Sequence, residues 1–130
     1  MKNWLSYKEF LRGPELEIVR HAVEMVINPA LDVAELYAEK MDNTEENRRV
    51  VMIQVSTVNG ALATISHTLQ KGIRIAVQAN TPAGTDVSVF GAVNVTEITK
   101  IISRLSNTCT ILERMRVTAA AARKREEADK

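Results

Sequence analysis

Apolar residues recur with one period in the first part of this chain and with another from about residue 50 onward. Residues 1–49 carry a helical pattern. Ser6-Tyr7-Lys8-Glu9 has the form of a capping box, and a short helix over 7–12 would end at Gly13. Pro14 then stands in a first turn, where a helix tolerates it. Leu16, Val19, Val23 and Val26 follow at spacings of three, four and three. Ile18, Ala22 and Met25 make a second stripe beside that one, so this helix is expected to pack on two sides or to meet a partner chain. Asn28-Pro29 is expected to end one helix and start the next, whose stripe is Val33, Leu36, Tyr37 and Met41. The polar stretch 42–49 reads as a linker or a frayed helix end.

From Val50 the period shortens to two. Val51, Ile53 and Val55 alternate with Val50, Met52 and Gln54, as a half-buried strand requires. A heptad reading competes with it. Val51, Val55, Val58, Leu62, Ile65 and Leu69 are spaced four, three, four, three and four, the seam of one long helix. The strand is preferred because six of the nine residues from Val50 to Val58 are β-branched and Asn59-Gly60 is poor in a helix interior. A helix over 61–71, stopped by Gly72, and a strand over 73–78 follow. A turn at 80–85 and a strand through Val87 and Val89 complete a hairpin. Asn94 caps a helix through Ile98, Ile101, Ile102 and Leu105, and Thr108–Val117 is expected as a fourth strand. The tail 118–130 has helix formers but no large apolar residue, so it is expected to be solvated or frayed.

The resulting order from 50 to 117 is β-α-β-β-α-β. That predicts an α+β, ferredoxin-like sandwich preceded by an N-terminal helical segment, with 1–49 as an appendage and 118–130 as a tail. V-S-T-V-N-G-A-L-A-T-I at 55–65 resembles the opening of an ACT domain, with Gly60 at the motif glycine and Leu62, Ala63 and Ile65 at the helix positions after it. K-G-I-R-I at 71–75 resembles that family's entry to its second strand. Thr57 and Asn59 stand where the family usually has Asp and Pro, which weakens recognition of a ligand amino group. The resemblance implies a dimeric regulatory module that binds an amino acid or similar small anionic effector between two copies. Its ligand-binding residues would be Val58, Asn59, Gly60, Ala61 and Leu62 together with Arg74 and Ile75. Glycine would let a carboxylate approach the amides of a helix N-terminus, and Arg74 would hold it.

Composition narrows the classes without choosing among them. Hydrophobic residues at 45% and charged residues at 25% are ordinary for a globular domain. A net charge of +1 gives no reason to expect nucleic acid, and Arg123-Lys124-Arg125 is followed at once by Glu126-Glu127. No apolar run approaches the ~20 residues of a membrane span, and no secretory signal is expected. The single cysteine suits a reducing compartment such as the cytoplasm. No catalytic, metal or cofactor set is expected. His67 reads as a surface residue, and His21 with Glu17 and Glu24 as a solvated face. Cys109 reads as a buried apolar residue, and Trp4, Tyr7 and Phe10 as a docking anchor for the first helix. Thr85, Asp86 and Ser88 carry no nucleophile pattern. The second functional reading is a structural or interaction protein, with either a ligand-free ACT-like sheet or an all-helical oligomerisation scaffold in which 50–71 and 95–115 are heptad helices.

Overall fold

The computed structural model describes residues 3–80 and 93–129, with side chains over 6–72 and 95–129. Its elements are β1 (Asn3–Leu5), α1 (Tyr7–Phe10), α2 (Gly13–His21), a π-helical turn (Ala22–Ile27), α3 (Asn28–Lys40), α4 (Glu45–Asn80), β2 (Val93–Val95) and α5 (Thr96–Ala128). The ferredoxin-like sandwich is therefore corrected, and the ACT resemblance with it. Residues 50–58 and 73–78 are helical rather than extended, Asn59-Gly60 lies inside α4, and Thr108–Val117 lies inside α5. The expected turn at 80–85 and strand at Val87–Val89 fall largely outside the described residues. The sheet that is described is one parallel pair, Asn3↔Val93, Trp4↔Asn94 and Leu5↔Val95. The heptad alternative and the all-helical architecture it implies are what the structure bears out.

Local chemistry explains each helix boundary. Arg12 Nη1 donates to the carbonyls of Lys8 at 3.1 Å and Leu11 at 2.9 Å, which closes α1. Gly13 turns the chain with φ +59°, a conformation that side-chain-bearing residues rarely adopt, and Pro14 opens α2. Asn28-Pro29 does not break the helix. Proline cannot donate to the carbonyl four residues back and its ring crowds that carbonyl. The wider turn just before it relieves the conflict: Asn28 N–H bonds to Val23 O, five residues back, while φ and ψ stay at −62° and −46°. Helical backbone consequently runs from Gly13 to Lys40.

The stretch 42–49 is a tight loop followed by a capped helix. Thr44 Oγ1 accepts from Asn47 N at 3.1 Å, and Glu45 and Glu46 occupy the first turn, where the helix dipole favours negative charge. Asn43 ties this loop to α5 by donating through Nδ2 to Met115 O at 3.0 Å. At the opposite end, α1 lies on α4 at Gly72, and Tyr7 neighbours Glu97 at the start of α5. The long helices thus run down, up and down as a three-helix bundle.

Val51, Val58 and Ile65 of α4 are fully buried, with Leu69 continuing the seam. Ile101, Leu105, Thr108, Leu112 and Met115 form a matching seam on α5, at spacings of four, three, four and three. Thr108 is buried without penalty because its hydroxyl donates to Arg104 O at 2.9 Å. The main core joins Tyr7, Leu11, Val19 and Leu31 to Val58, Ile65 and Leu105, so it draws on both sides of residue 50.

Candidate interaction surface

The residues proposed for effector binding do not converge. Val58 is buried in the core, Asn59 and Gly60 are exposed on the outer side of α4, and Ala61 and Leu62 are half-buried against the core. No helix begins there, so the amides around Gly60 are committed to the α4 ladder rather than free for an anion. Arg74 and Ile75 belong to the same helix, about 21 Å along its axis from Gly60. Their side chains lie outside the described residues.

The other candidate residues separate in the same way. Glu17 pairs with Arg20 at 3.2 Å and Glu24 with Lys8 at 3.5 Å, so neither carboxylate is committed to His21. His67 is exposed on α4. Cys109 is exposed on α5, a correction that follows from the change of strand to helix. Tyr7 is only 1% exposed, and Phe10 packs over Gly72, so these two do anchor α1. The Trp4 side chain and residues 85, 86 and 88 lie outside the described residues. Among the described residues no three His, Cys, Asp or Glu side chains are grouped to hold a metal ion.

Two of the surface cavities lie against the π-helical turn. The first, about 260 Å³, lies where α1, the π turn and α5 meet, and Tyr7, Lys8, Glu24, Asn28, Glu97 and Lys100 line it. Burial pushes the Tyr7 phenol above its ordinary pKa, and the negative charges of Glu97 and Glu24 add to the shift. Glu97 Oε2 is shielded from solvent and has no hydrogen-bond partner among the described residues. Arg104, at the cavity edge, bonds to Glu35 and reaches Asp32 at 2.8 Å. Its hydrogen bond to Glu35 raises the guanidinium pKa further, with a second contribution from Asp32. These contacts fix α5 against α3. Among the described residues lining this cavity, none pairs a nucleophile with a base.

The second cavity is an open groove of about 510 Å³ between α2, the π turn and α4, lined by Ile18, Ala22, Val26, Ala61, Thr64 and Ile65. Glu17 and His21 stand at its edge, and no residue of α5 contributes. Large apolar side chains near it stay open to solvent: Ile18 is 52% exposed and Met25 on the π turn 66%. The stripe Ile18, Ala22 and Met25 was legible in the sequence as spare apolar surface. The α4 wall was not, because the helix expected over 61–71 was set against a sheet rather than against residues 14–26. Among the described residues, no helix is long and apolar enough to cross a membrane. Comparison with protein-family models, with curated proteins and with solved structures returned no match.

Proposed function

We propose that this chain is a structural protein that acts by self-association, a three-helix scaffold that presents apolar surface to further copies and catalyses no reaction. One observation carries the reading: the apolar groove between α2 and α4, with Ile18 and Met25 standing largely in solvent beside it. Single exposed apolar residues are ordinary, but grouped ones along a groove mark interaction surfaces. The polar cavity at α1 supports the effector reading less well, because its Lys8 and Glu24 side chains neutralise each other and Arg104 is committed to α3.

Sedimentation velocity across micromolar concentrations tests the reading. The expected result is a concentration-dependent shift from the 14.4 kDa monomer to a defined oligomer. A chain that stays monomeric throughout that range, and whose thermal midpoint does not move with concentration, would sink it.

A further inference from the structure

Charge is distributed unevenly along α4. Its first turns hold Glu45, Glu46, Arg48 and Arg49 and its later part holds Lys71, but Val50 to Gln70 contains no Asp, Glu, Lys or Arg. Only one side of this stretch is used by the core. A helix at a solvated surface places charges on its outward side, as α2 and the π turn do with Glu17, Arg20 and Glu24 and α5 does with Glu113, Arg114 and Arg116. The outward residues of α4 are instead Ile53, Thr57, Gly60, Ala63, Thr64 and His67, all exposed.

Three exposed hydroxyls of this stretch already have partners. Thr57 Oγ1 donates to Ile53 O at 2.9 Å, Thr64 Oγ1 to Gly60 O at 2.9 Å, and Ser66 Oγ to Ala63 O at 3.0 Å. Covering these three hydroxyls therefore leaves none of them without a partner. A Cβ built at Gly60 meets nothing within 4 Å, so another backbone has room to approach there.

Building on the self-association proposed above, we infer that the uncharged face of α4 is a docking site for the α4 face of a second copy, crossing near Gly60. Charge selects the occupant. In a two-fold contact a charge near the axis confronts its own copy; a patch with no charge escapes that cost. A strongly charged partner would find nothing on this face to pair with. Gly60 lies midway between Val50 and Gln70, which places the axis where the surface is lowest. Area sets the extent of the contact. The stretch is about 30 Å long and a helix about 10 Å across. Roughly 300 Å² of projected surface falls well short of the ~800 Å² per partner of a standard interface. The stretch therefore forms the centre of the contact, and the adjoining groove walls Ile18 and Val26 extend it.

Gly60→Lys separates association from folding, because lysine is a better helix former than glycine and the position is open. The expected result is unchanged helix content by circular dichroism with dimerisation about tenfold or more weaker, the effect of facing two like charges. In a Cys109→Ser background, Gly60→Cys is expected to oxidise to a covalent dimer, whereas Glu113→Cys on α5 is not. If the native chain dimerises and Gly60→Lys dimerises equally well, or the Gly60→Cys chain forms no covalent dimer, the site is wrong and self-association stands. If the native chain is a monomer throughout, both are overturned.

Discussion

A single carbon atom added to Gly72 would sit 2.5 Å from Leu11 Cδ2 and 2.6 Å from Phe10 Cδ2. Leu11 is fully buried and cannot simply swing into solvent, so its side chain must repack or α1 must shift on α4. Gly72→Ala gains about 1 kcal/mol of helix propensity, which overpacking of about 1–3 kcal/mol outweighs. A net loss of stability is expected, read as a lower urea midpoint. At Gly60, on the same helix, an added Cβ meets nothing within 4 Å, and Gly60→Ala is expected to stabilise the fold by about 0.5–1 kcal/mol and so raise that midpoint. Equal shifts at both glycines would show that the α1 contact is absent. Tyr7 gives a pH-dependent counterpart. Its folded pKa lies above the usual 10.0, so the buried phenol favours the fold in its neutral form. That contribution is intact below pH 10 and is lost as pH rises through the folded value. Tyr7→Phe should therefore flatten the alkaline fall in stability and leave the neutral range almost unchanged.

At the scale of the element, residues 50–71 carried two periods at once, and the physics that chose between them is tertiary. Six β-branched residues among Val50–Val58 cost a helix a few tenths of a kcal/mol each. Burial of each seam residue returns roughly 1.5–3 kcal/mol, so Val51, Val58 and Ile65 outweigh the local preference. Propensity was the wrong arbiter, and the seam through Leu69, spaced as a heptad throughout, was the better one. Pro29 misled in the same direction, since the π turn that carries the helix past it leaves no mark in residue types. The helices at 14–26 and 95–105 were legible from their stripes, and so was the spare apolar line through Ile18 and Met25; the helix at 29–41 was legible but its stripe was misplaced, since Val33, Leu36 and Met41 are exposed while Ala30, Leu31 and Ala34 are buried. The effector site was not recoverable, because it depended on a turn at Asn59-Gly60 that does not exist. Ile65→Ala tests the seam directly. Removing this fully buried side chain from α4 is expected to cost about 2–5 kcal/mol, whereas Ile53→Ala, at an exposed position, should cost the monomer less than about 1 kcal/mol.

The whole molecule depends on the first twelve residues more than an appendage would suggest. Tyr7 and Leu11 belong to the same buried cluster as Val19, Ile65 and Leu105, and β1 pairs with β2 immediately before α5 begins. The N-terminal residues therefore join the start of α5 to the later part of α4, at the end of the bundle opposite the loop held by Asn43. A contact of that kind couples the N-terminus to the global unfolding transition instead of leaving it to fray. The sole tryptophan, Trp4, lies in β1 and reports on this end, while far-ultraviolet circular dichroism reports on the long helices. Urea curves from the two signals are expected to coincide. Deleting residues 1–12 should lower the midpoint of the remaining helices, because Gly72 and Leu69 lose their cover and Ile101 its neighbour across the core. If tryptophan fluorescence changes at lower urea than the helical signal, and the truncated chain unfolds at the native midpoint, the N-terminal segment is an independent attachment and the core ends at α2.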